Sequence, residues 1–288
     1  MKTIQPFNLE DIKHIGGVDH PESIGIGPDG TAYTTGTGCQ VYRLNLDDNT
    51  AEQFATTEVR CLGSVVDADE NLYVAHTTVD VLKITPAGEV TVYATGPGGD
   101  KFMCANYPAF DSLGNMYLSE SGDWSGAING RLYKIPPGGG EVQLWYPEPV
   151  DTPNAIALDA EEKYLYFVET FGSSIARVAI HDDGSAGEFE RLVHMPKHIP
   201  DGIAFDETGL LWIACHRPDT IYTFNLKSRH LERFAHDWKG EALRGPTDVA
   251  FAGPNRDILL AASLDNLVVH RFDGVGARGL KLNHPVLK

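Results

Sequence analysis

Cysteine is scarce in this 288-residue chain: Cys39, Cys61, Cys104 and Cys215 stand far apart, with no CxxC pair. That speaks against a disulfide framework or a zinc site of the usual spacing and leaves reduced, mostly buried thiols. Basic residues are few as well. Lys plus Arg number 23 against 40 Asp plus Glu, a net charge of −17. Such a surface repels phosphate backbones and anionic lipid heads, so neither nucleic acid nor membrane is expected as a partner. It favours cations. Apolar stretches such as Ile258-Leu259-Leu260-Ala261-Ala262 fall far short of a membrane span. The opening MKTIQPFNLEDIK shows none of the apolar core of a signal peptide, so the cytoplasm is the expected location. A serine elbow G-x-S-x-G is missing, and Gly138-Gly139-Gly140 has no Lys-Ser/Thr after it. Serine-triad and phosphate-loop chemistry are therefore not indicated.

What the chain has is a repeat. A short apolar strand, a tight turn and a second strand bearing an aromatic recur, as in PESIGIGPDGTAYTT from Pro21 and PDGIAFDETGLLWIA from Pro200. The aromatic or its substitute falls at Tyr33, Tyr73, Tyr117, Tyr166, Trp212 and Leu259, at intervals of 40, 44, 49, 46 and 47 residues. Each unit continues with a second strand pair, such as QVYRLNL then EQFA. Four antiparallel strands per unit of this length describe a β-propeller blade. A many-stranded sandwich would not explain the even spacing. The expected fold is all-β: a six-bladed propeller formed by residues 1–288 as a single domain. The last copy shows no clear fourth strand, so residues around His14 to Val18 are expected to close the ring.

Strand alternation then selects a face. Five residues before Asp67, Asp111, Asp159 and Asp206 lie Leu62, Asn106, Asn154 and Asp201; Glu22 and Thr247 complete the ring. All sit where first strands begin, at the mouth of the central channel. Asn and Asp often serve only their own backbone at such places. The same register in four blades argues instead for a common task. Ca²⁺ and similar hard cations take carboxylate and carboxamide oxygens, and would neutralise two carboxylates held close together.

The segments HPESIGIGPDG, TPNAIALDAEEKYLYFVET and IPDGIAFDETGLLWIA resemble the SMP-30/gluconolactonase (regucalcin-like) family of six-bladed propellers. The resemblance implies a divalent ion held by Glu22, Asn154 and Asp201, with Asn106 beside ion and substrate. It implies Ca²⁺ first, with Mg²⁺, Mn²⁺ or Zn²⁺ as alternatives. Cys104 stands where sugar-lactone members carry Arg, and Asn106 is followed by Tyr107-Pro108 rather than Asp-Gly. An uncharged wall, suited to a less polar lactone or ester than an aldonolactone, is therefore expected.

The expected activity is metal-dependent hydrolysis of a small-molecule lactone or related ester. The ion would polarise the carbonyl, and Asp201 would assist the attack of water. His216 is a second catalytic candidate, and His76 could serve either as base or, with Asn106, Trp124 and Phe171, in substrate binding. Arg217 reads as a surface ion pair. A lyase or hydratase using the same ion, and a non-catalytic ligand-binding propeller with a structural ion, remain the alternatives.

Overall fold

The computed structural model describes residues 4–77 and 80–287. They form six four-stranded antiparallel sheets arranged as the blades of a propeller. Blade 4 is representative, with strands Pro153–Leu158, Tyr164–Glu169, Ser174–Ile180 and Ala186–His194 in spatial order. Blade 6 takes its outer strand from the other end of the chain: Lys13–Ile15 pairs with Val269–Phe272, His14 opposite His270. The ring therefore closes where the incomplete last repeat required. Among the described residues helix is limited to two three-residue 3₁₀ turns, and no helix is long and apolar enough to cross a membrane.

The repeat residues do two jobs. Asp67, Asp111 and Asp206 each accept two backbone N–H groups of the turn that follows, for example Thr208 and Leu210 on Asp206 Oδ1 at 2.8 and 3.1 Å. This pins the turn between first and second strands. In blades 2, 4 and 5 the aromatic of the second strand is buried and meets an aromatic of the next blade edge-on. Tyr73–Phe110, Tyr166–Phe205 and Trp212–Phe251 have ring centroids 5.3, 4.9 and 5.4 Å apart. Such edge-to-face pairs weld blade to blade.

The residues after the last blade cross the opposite end of the channel. Gly279 bridges Asp206, Asn283 Nδ2 donates to the Phe110 carbonyl at 3.0 Å, and Ala68 N donates to Pro285 O at 3.0 Å. Above this strap lies a chamber of about 290 Å³ lined mainly by first-strand side chains such as Ile24, Ile156 and Ile203. One end of the channel is thus covered, leaving the first-strand entry end as the approach to the axis.

Candidate active site

Strict strand alternation would carry side chains up or down a sheet, not all toward the axis. The structure solves this with irregularity. In blades 2 to 6 the pairing of first and second strands slips at the ring position: between Cys61 and Ser64, Ala105 and Pro108, Pro153 and Ile156, Pro200 and Ile203, Pro246 and Asp248. Such bulges re-aim side chains. Here they bring Asn106, Asn154, Asp201 and Thr247 around one small cavity with Glu22. The cavity measures about 10 Å³, room for a single water-sized species.

Hydroxyls from second strands fasten the bulged segments. Thr170 Oγ1 donates to Pro200 O at 3.0 Å, Ser121 Oγ to Pro153 O at 2.8 Å, and Thr35 Oγ1 to Leu62 O at 2.9 Å. Thr247 Oγ1 donates to Glu22 O at 2.8 Å, so Thr247 closes the ring and Leu62 contributes its carbonyl to it. The same hydroxyls orient the two carboxamides. Asn106 Nδ2 donates to Ser121 Oγ at 2.8 Å and Asn154 Nδ2 to Thr170 Oγ1 at 3.2 Å. Asn154 also hydrogen-bonds the Asp201 carboxylate. With the amide nitrogens engaged, each Oδ1 is the carboxamide atom left to face a cation.

Carboxylates crowd the cavity. Burial, then the negative charges of Glu22 and Asp248, push the Asp201 carboxyl well above the ordinary carboxylate range, against Arg60 and Asn154. Asp248 lies beneath the ring, fully enclosed, accepting Ile24 N, Val249 N and Tyr107 OH at 2.8 Å each. Burial moves its pKa up to about 7 against those three donors. Two glycines make this floor possible. A Cβ on Gly202 would fall 2.3 Å from Asp248 Cα, and one on Gly63 would fall 2.5 Å from the Tyr107 ring. Gly202→Ala is therefore expected to destabilise the protein by about 2 kcal/mol or more, read as a lowered midpoint in thermal or urea unfolding.

The donor set fits a hard divalent ion. Two carboxylates and two carboxamides of the ring face a one-atom space, with more negative charge than the protein balances. Among the described residues no three His, Cys, Asp or Glu side chains close on one point, so a cation here depends on the carboxamides.

The remaining candidates divide. Trp124 and Phe171 meet edge-on at 5.5 Å on the rim, both half-exposed, and Trp124 Nε1 donates to Cys104 Sγ at 3.2 Å. His216 does not line the cavity. It ends a second strand rather than starting a first one, and blade 6 captures it through Asp265, whose Oδ2 is 3.3 Å from Nε2. Arg217 is paired with Asp219 at 3.0 Å and with Asp265, as expected of a surface ion pair. His76 is likewise away from the cavity, 5 % exposed and with neither ring nitrogen hydrogen-bonded among the described residues.

The uncharged wall needs correction. Arg60 enters from blade 2, its Nη2 2.5 Å from Glu22 Oε2, and its charge acts on both Asp201 and Cys104. A signal for it existed. Arg60 precedes Leu62 by two residues, the same offset at which Cys104 precedes Asn106. Applying that offset to every blade would have found it. Tyr107 and Asp248 each follow a ring residue directly and were equally accessible to such a count.

Comparison with known proteins agrees with this architecture. Residues 33–265 match the model of the SMP-30/gluconolactonase/LRE-like region. The chain belongs to this family. Among its relatives is pentonolactonase XacC of Haloferax volcanii, 27 % identical over 158 residues, which are 54 % of this chain and 50 % of that protein. Another is lactonase drp35 of Staphylococcus haemolyticus, 22 % identical over 193 residues, 61 % of this chain and 58 % of that one. The chain thus spans roughly half the length of these relatives. A solved structure of regucalcin, a calcium-binding protein from Agrobacterium tumefaciens, superposes with a TM-score of 0.78 over all of both chains. At 18 % identity that likeness concerns the fold alone.

Proposed function

We propose that this family member is a lactone-opening hydrolase that works with one divalent cation, Ca²⁺ in the first instance. The reading is carried by the excess of carboxylate around a one-atom cavity whose carboxamides present oxygen. The lactonases among its relatives and the calcium-binding regucalcin with the same fold support it. Glu22, Asn154, Asp201 and Asn106 would hold the ion, which when bound supplies polarisation of the lactone carbonyl and neutralises the oxyanion.

The chain's own residues do the rest. Asp201, at the axis, takes the proton of the attacking water at a carboxylate oxygen. Ser121 and Thr170 keep Asn106 and Asn154 in the orientation that presents oxygen. Trp124 and Phe171 form an apolar rim over which the substrate ring lies. His216 and His76 take no part in this scheme, because neither reaches the cavity.

The test is a panel of lactones and aryl esters assayed on cation-loaded and chelator-treated protein. Chelator-sensitive ring opening, restored by Ca²⁺, is expected. Binding of Ca²⁺ without hydrolysis of any member would remove the hydrolase reading and leave the lyase or the non-catalytic propeller.

A further inference from the structure

Arg60 makes less use of its guanidinium than its position allows. The group has five N–H donors in a planar fork. In the structure Nη2 meets Glu22 Oε2, while Nε is buried without a partner among the described residues. The side chain is 36 % exposed against 16 % for Glu22, so part of the fork reaches the open space above the ring. Among the described residues its surroundings add no second partner. Burial pushes the Cys104 thiol up, which keeps it neutral, and its sulfur already accepts Trp124 Nε1. Asp248 is committed to Ile24, Val249 and Tyr107 on the floor.

Charge points the same way. A divalent cation would cancel Glu22 and Asp201, and Asp248 lies buried beneath the ring against Tyr107, so Arg60 remains as a positive group at the mouth for something outside the protein to meet. A planar guanidinium pairs best with a carboxylate, two N–H groups to two oxygens. On a chain of net charge −17 this is a local exception, and a selective one: an anion is repelled elsewhere and attracted here.

We propose that Arg60 anchors the substrate, and that the lactone opened here carries a carboxylate. The inference rests on the hydrolase reading for the reaction but not for the binding. Arg60 is thereby a specificity-determining residue that does not itself take the proton assigned to Asp201.

The experiment compares a γ-lactone bearing a carboxylate with its methyl ester, on wild type, Arg60→Gln and Arg60→Lys. Wild type is expected to favour the acid over the ester by about 10-fold or more in kcat/KM. Arg60→Gln should erase that preference by raising KM for the acid about 10- to 100-fold, the size of a charge-assisted pair. The ester should lose much less than the acid, any loss common to both reporting the charge that Arg60 exerts on Asp201, and Arg60→Lys should restore part of the preference. A second arm titrates the ring-opened dicarboxylate into cation-loaded protein by calorimetry, with weaker binding to Arg60→Gln by the same factor expected. A third titrates Ca²⁺ alone, which Arg60→Gln should bind at least as tightly as wild type, having lost a competitor for Glu22.

Equal losses for acid and ester, an unchanged dicarboxylate affinity, or weakened Ca²⁺ binding in Arg60→Gln would each overturn the inference. If wild type opens neither lactone, the hydrolase reading fails, while the dicarboxylate titration still decides the role of Arg60.

Discussion

Asp201→Asn should cost about 10³-fold in kcat/KM on any lactone the protein opens, the usual scale for removing a general base or a charge-stabilising group. The same substitution should make the cation-free protein more stable. Asp201 is 8 % exposed, and burial with the charges of Glu22 and Asp248 disfavours its ionised form. An amide of the same shape removes one charge from that crowd, for a gain of about 1–2 kcal/mol in chelator. Saturating Ca²⁺ should reverse the order, since it stabilises only the chain that binds it. Urea unfolding of both proteins, with chelator and with Ca²⁺, reads the crossover. A variant as active as wild type removes Asp201 from the reaction. One that is less stable in chelator shows that the carboxylates are not in conflict.

The second large effect lies at the closure of the ring. His270 is fully buried, its Nδ1 3.1 Å from His14 Nδ1, and Arg244 N donates to its Nε2 at 3.4 Å. Burial first, then the charge of His14, lower its pKa from 6.5 to about 4, with the Arg244 contact and distant Asp237 pulling the other way. The folded state therefore holds His270 neutral where the unfolded chain would protonate it. Stability from this source is complete above pH 6.5 and falls as pH drops toward 4, by roughly 2–3 kcal/mol at pH 4.5. His270→Phe removes the titration. Wild type should lose that much more stability than the variant between pH 7.5 and 4.5 in urea unfolding. Parallel losses would mean that other groups carry the acid sensitivity.

His14 opposite His270 also shows what could be read before any coordinates. The missing fourth strand of the last repeat called for a segment near His14, and Lys13–Ile15 supplies it. Blade number and strand order were equally legible. A buried aromatic in five of the six repeats and an Asp capping the turn in four are local demands, repeated with small variation. The strap formed by Gly279 to Pro285 was not legible, because it belongs to no repeat and earns its place by contacts with Phe205, Phe110 and Ala68.

The site divides along a similar line. Residue type and register identified Glu22, Asn106, Asn154 and Asp201 as a set, since ring positions in a propeller are equivalent by construction. His216 had a suitable chemistry and a suitable loop, yet Asp265 draws it to the rim. Arg60 reached Glu22 from a blade whose own ring residue is Leu62, apolar and unpromising.

Periodicity along the chain was enough to specify the propeller and the level at which its side chains converge, because each blade satisfies its own turns and strands locally. Charge balance at the axis was not specified in that way. Glu22 and Arg60 are 38 residues apart, and Tyr107 and Asp248 are 141 apart. Such pairs meet only when closure of the ring sets blade against blade, and electrostatics depends on that distance through space, not on separation in sequence.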